Sequence, residues 1–199
     1  MKILEWMTVP NNREIYYYNA NKKFASEEFA GQLHEMIQEE KSRKSKNGVV
    51  FLCIGTDRST GDSLGPLIGY KLGQMCMSGA TVFGTLERPV HAMNLDDYIT
   101  VLKKWYKDDL IIAVDASVGS KEHVGYVTLG KGALKPGLGV SKELHPVGDI
   151  FITGIVGNCG NYDPLMLQSV RLSIVMQMAD GISKSIGLVE KLWENTAFV

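Results

Sequence analysis

Cysteine is scarce in this sequence, with three among 199 residues, and their irregular spacing excludes a disulfide framework or a zinc-finger set. Cys53 falls in an apolar run and Cys76 in a helical one, so both read as small core residues. Cys159, in the loop Gly157-Asn-Cys-Gly-Asn161, is a candidate nucleophile without a sequence-local base. Basic excess is also missing. Lys and Arg total 21 against 22 Asp and Glu, a net charge of −1, which excludes a dedicated nucleic-acid binder because nothing is left over to neutralise phosphates. The one basic cluster, Lys41-Ser-Arg-Lys-Ser-Lys46, reads as a solvated linker. No run of about 18 apolar residues and no basic-then-apolar leader is present, so the expectation is a cytoplasmic protein with no membrane partner. There is no internal repeat and no composition break, and one α/β domain over 1–199 is expected.

What the sequence does have is an unusual loop, Gly55-Thr-Asp-Arg-Ser-Thr-Gly-Asp-Ser-Leu-Gly-Pro66. It follows the continuously apolar Val49-Val-Phe-Leu-Cys-Ile54 and precedes a helical run. A strand that breaks into a glycine-rich loop and then a helix is how open α/β sheets build a site. The loop lacks the Gly-Lys-Ser/Thr ending of a P-loop and the Gly-x-Gly-x-x-Gly of a dinucleotide fold, and no Gly-x-Ser-x-Gly elbow occurs in the chain. A nucleotide site would not place two aspartates, Asp57 and Asp62, against phosphate.

The periodicity predicts helices over 24–41, 64–77, 95–105 and 164–185, and strands over 49–54, 81–86, 110–115, 124–129 and 149–156. The first three strands alternate with helices, which argues a parallel sheet with right-handed crossovers. The strand at 124–129 is followed by glycine-rich residues rather than a crossover helix, so it is expected at an edge and antiparallel. The first twenty or so residues carry Trp6, Tyr16, Tyr17 and Tyr18 without clear periodicity.

Asp62, after the first core strand, and Asp115, ending the third, would both face the crevice at the carboxyl ends of the strands. Two close carboxylates do not both ionise cheaply; they share a proton or a metal ion, and either activates a water. The simpler alternatives are local: Asp62 capping the helix near Leu64, and Asp115 capping a turn at 116–119. Four histidines are available. His145 precedes the last strand and would complete an oxygen-rich zinc-type or nickel-type site with Asp62 and Asp115. His91 follows the second strand, while His34 and His123 are weaker candidates. Asp57, Glu87, His91 and Asn94 are expected as secondary polar or substrate-binding groups.

The loop motif, together with Pro89-Val-His-Ala-Met-Asn94, Val114-Asp-Ala116 and Lys135-Pro-Gly-Leu-Gly-Val140, resembles the YyaC family of sporulation proteins. That family is similar to the spore germination protease and, more distantly, to the hydrogenase maturation endopeptidases. The resemblance implies a three-layer α/β/α, phosphorylase/hydrolase-like domain. Its mixed five-stranded sheet would be ordered 2-1-3-5-4 with strand 4 antiparallel, and 1–48 would pack on a core of about 49–187. It further implies a peptidase of the sporulating cell or spore compartment acting on a protein or peptide, with Asp62 and Asp115 catalytic. The germination protease matches this pattern with an aspartic-type site, the hydrogenase endopeptidases with a metal. Two other classes stay open: a non-catalytic peptide-binding module with the same fold, and a metal-dependent small-molecule hydrolase.

Overall fold

The computed structural model describes residues 14–136, 144–158 and 166–196. Cys159 and most of the Lys135–Val140 motif lie outside them. Strands β1 (Ile15–Asn19), β2 (Val49–Cys53), β3 (Thr81–Phe83), β4 (Leu110–Gly119), β5 (Tyr126–Lys131) and β6 (Ile150–Asn158) form one sheet. Helices α1 (Ser26–Lys44), α2 (Leu64–Gln74), α3 (Leu95–Trp105), α4 (Met166–Ser169) and α5 (Leu172–Thr196) flank it.

Strand β2 explains the layering. All five residues are buried, as a strand covered on both faces requires. Val49, Phe51 and Cys53 point into the cluster shared with α1, α2 and α5, whereas Val50 and Leu52 point the other way, toward Leu95 and Leu102 of α3. Phe51 is fully buried, and Phe51→Ala would cost about 3–5 kcal/mol through lost transfer energy and the cavity left behind.

The sheet order is β1-β5-β6-β4-β2-β3. β3, β2, β4 and β6 run parallel, and β5 is antiparallel to β6. The expected five-strand order holds within it, and the antiparallel strand is where the sequence puts it. The sheet has a sixth strand, however: β1 pairs antiparallel with β5 and takes the edge position expected for β5. Tyrosine conceals this strand, because its apolar ring and hydroxyl let consecutive residues serve opposite faces. Tyr18 is buried against Phe24 and Phe29, while Tyr17 is 48% exposed.

Three further expectations are corrected. Helix α1 continues through Lys41–Lys44, so this part of the basic cluster is helix rather than linker; it ends at Ser45, in the left-handed region at φ 52. Basic residues in the last turn and Glu27 and Glu28 in the first both suit the helix dipole. The C-terminal helix is interrupted between α4 and α5 and runs on to Thr196. Cys76 is exposed just past α2, not in the core, whereas Cys53 is buried and its thiol is pushed up to about 12 by desolvation.

Candidate active site

The loop after β2 is shaped by Gly55, whose φ of +139 turns the chain out of the sheet. A Cβ there would lie 2.0 Å from the Asp62 carbonyl oxygen, so only glycine fits without displacing the loop. The Gly55 N–H donates to the Val90 carbonyl at 2.8 Å, and the Thr56 N–H to the Asp62 carbonyl at 3.1 Å. Asp62 itself sits in a short 3₁₀ turn, Thr60–Ser63, that leads directly into α2. Neither this turn nor α2 receives a side-chain capping bond, so capping does not account for Asp62.

Asp115 projects from β4 and is 6% exposed. Strand alternation places it with Ala113 on the α3 face of the sheet. Its Oδ1 accepts the Ala116 N–H at 2.8 Å. The turn expected at 116–119 is not formed, because β4 runs on to Gly119 alongside β6.

The electrostatics of the two acids are joined. Burial raises Asp115 well above the usual carboxylate range, and the negative charge of Asp62 raises it further against the Ala116 N–H. Burial likewise raises Asp62 to about 6, partly offset by the Thr56 backbone N–H. Among the described residues no lysine or arginine lowers either group. Two desolvated carboxyls that repel one another take up a single charge first and the second only at higher pH.

The remaining candidates serve the loops. Asn94 Oδ1 accepts the His91 N–H at 2.8 Å, its Nδ2 donates to the Pro89 carbonyl at 3.1 Å, and His91 Nδ1 accepts the Met93 N–H at 3.2 Å. These bonds fold the approach to α3 and, because Val90 pairs with Ile54, hold His91 at the end of β2. Glu87 is exposed and accepts from Thr85 at 3.2 Å; Asp57 is exposed in the loop. His145 is drawn to the first turn of α3, where its Nδ1 lies 3.0 Å from Asp96. Among the described residues no three His, Cys, Asp or Glu side chains gather as a metal-ligating group.

One polar feature was missed in the sequence. Thr153 of β6, paired in register with Asp115, has its hydroxyl 2.6 Å from that of Thr128 on β5 and 3.1 Å from that of Ser117 on β4. Isolated β-branched hydroxyls in apolar strands carry no motif; only the register aligns them.

Comparison with known proteins agrees with this architecture. Residues 16–185 match the family described as "Protein of unknown function (DUF1256)". The chain belongs to that family. It is 44% identical over 162 residues to the protein YyaC of Bacillus subtilis (strain 168), covering 81% of this chain and 79% of that one. In three dimensions it is similar to the [NiFe] hydrogenase maturation protease HycI from Thermococcus kodakarensis KOD1. That similarity has a TM-score of 0.51 at 19% identity, over 77% of this chain and 99% of the other. At that identity the likeness concerns the fold, a three-layer α/β/α sandwich. Asp62, Asp115 and their loop lie inside the matched family region.

Proposed function

We propose that this protein is a peptidase that hydrolyses a peptide bond with Asp62 and Asp115, acting as a pair that holds one proton. The observation that carries this reading is the electrostatic coupling of two desolvated carboxyls at the carboxyl ends of neighbouring strands. A pair so arranged is costly for stability, and it matches the requirement for acid and base within one site. The fold shared with a maturation protease supports the choice of peptide among hydrolysable substrates.

The chemistry follows from which group ionises first. Asp62, titrating near 6, is the carboxylate at neutral pH, and Asp115 is the acid. Asp62 takes a proton from water as the water oxygen bonds to the amide carbon, and Asp115 gives its proton to the carbonyl oxygen. On collapse, Asp115 takes a proton from one hydroxyl of the tetrahedral intermediate. The C–N bond breaks, and the departing nitrogen takes the proton held by Asp62. One water is consumed and the pair returns to its starting state. Each proton transfer by a positioned group contributes typically 10²–10⁴-fold in rate. No step is routed through a zinc or nickel ion, since the described residues offer two carboxylates and no third ligand beside them.

The sporulating cell or spore compartment is proposed as the setting on the resemblance to the YyaC family. Among the described residues no helix is long and apolar enough to cross a membrane.

The test is cleavage of a denatured protein pool, followed by mass spectrometry of new termini. Wild type is expected to generate a consistent set of cuts with activity rising through pH 6, and Asp62→Asn and Asp115→Asn to lose at least about a hundredfold. New termini produced equally by both variants would rule the mechanism out.

A further inference from the structure

Strands β2 and β4 do not end together. Their pairing runs from Val49 opposite Leu110 to Cys53 opposite Val114, and a last bond joins the Ile54 N–H to the Val114 carbonyl at 2.7 Å. There Gly55 turns the chain away, yet β4 continues to Gly119, held on its other side by β6. From Asp115 onward the β2-facing edge of β4 therefore has no strand partner among the described residues. In a parallel pair, alternate residues direct both backbone groups to the same side. Since the Val114 carbonyl faces β2, the N–H and carbonyl of Ala116 face that edge too. The Ala116 N–H is engaged by Asp115 Oδ1 at 2.8 Å; its carbonyl points along the open edge as an acceptor.

An open strand edge is a template for another strand. This one does not lie at the margin of the sheet, where charge, proline or a bulge usually blunts it. It opens in the interior, between the loop carrying Asp62 and the strand carrying Asp115. A strand added here would lie one strand spacing, about 4.8 Å, from β4, in the line β2 vacates at Gly55. It would lie beside the strand that carries Asp115.

We propose that this edge is the substrate-docking site: an extended peptide adds to β4 as a short strand, donating a backbone N–H to the Ala116 carbonyl. The inference rests on the peptidase reading and deepens it by naming an extended, unstructured segment as the substrate class. Strand addition holds a peptide through its backbone. Main-chain hydrogen bonds supply the affinity, and every other side chain turns outward. Gly55 then has a second consequence, for by turning the chain it ends the β2 pairing at Ile54 while β4 continues.

The experiment uses the full chain carrying Asp62→Asn, which keeps the Asp115 contact to Ala116 while blocking turnover. A library of blocked, unstructured octapeptides is screened for retention, and a retained peptide is resynthesised with single backbone N-methyl groups along its length. Strand pairing predicts that N-methylation weakens binding roughly tenfold at alternate positions and little between them. It also predicts that the bound peptide shifts the Ala116 carbonyl carbon resonance more than that of Asp115. Retention with uniform tolerance of N-methylation, or with the largest shifts elsewhere, overturns docking on this edge and leaves the peptidase reading intact. Retention of no peptide also overturns it. Alternating sensitivity in a peptide that wild type never cleaves upholds the docking site and removes the peptidase reading.

Discussion

The two ends of the sheet hold acids in opposite conditions. At the amino-terminal end, Lys44 reaches Glu40 at 3.2 Å and Asp149 at 2.6 Å, and Arg43 adds a second bond to Glu40 at 2.7 Å. Asp149 also accepts the Ile111 N–H at 2.9 Å, tying the start of β6 to β4. Burial pushes Glu40 up, but the hydrogen bonds from Arg43 and Lys44 outweigh it and hold the group below its ordinary range. At the carboxyl-terminal end, Asp62 and Asp115 are desolvated with only backbone N–H groups to offset it, and both are raised. One end uses charge to fasten elements; the other keeps charge at a stability cost. Proteins retain unfavourable groups where chemistry needs them, so the contrast itself points to the working end.

The largest expected effect comes from disturbing what makes that end open. Gly55→Ala places a Cβ in the left-handed region and against the Asp62 carbonyl, and we expect a loss of about 3 kcal/mol. Denaturant unfolding measures this, with Gly31→Ala, where an added Cβ meets nothing within 4 Å, as the control. Equal stability of the two variants would mean that the loop is not held as described.

The second effect has the opposite sign. A raised carboxyl contributes stability that is complete below its unfolded value and lost as pH rises through its folded one. Asp62 therefore costs stability between about pH 4 and its folded value near 6 and above. Asp62→Asn removes that cost. It should stabilise the protein at pH 7 by about 3 kcal/mol while abolishing cleavage, with the difference closing below pH 4. Asp115→Asn should behave the same way over a window reaching to higher pH. A variant that is destabilised at neutral pH would show Asp62 to be a structural group like Glu40.

How much of this was legible in the sequence follows from the kind of signal each part leaves. The loop, its two acids and the βαβ alternation are local patterns. Loop glycines and apolar runs announce a strand, turn and helix whatever the rest of the chain does. The extension of β4 left no such mark, since Ala116-Ser-Val-Gly119 suits a turn as well as a strand, and only pairing with β6 decides it. β1 was hidden for the same reason, being a strand because β5 has an edge to offer. His145 shows the limit for sites. Its position before the last strand was readable, but the contact to Asp96 across 49 residues of sequence was not.

The smallest effect tests the fastened end. Lys44 lies between Glu40 and Asp149, and its replacement in Lys44→Met keeps the apolar stem while removing the charge shared by both acids. Glu40 is buried while Lys44 and Asp149 are partly exposed, so the expected loss is about 1–2 kcal/mol, between surface and buried pairs. Its pH dependence distinguishes it from the other end. A depressed carboxyl contributes stability above its unfolded value, so the advantage of wild type over Lys44→Met should be present at pH 7 and shrink as pH falls below about 4.5. Cleavage should be unchanged, because the network lies at the opposite end of β4 from Asp115. If Lys44→Met instead altered cleavage at equal stability, the two ends would be coupled through β4, and the division between fastening acids and working acids would have to be redrawn.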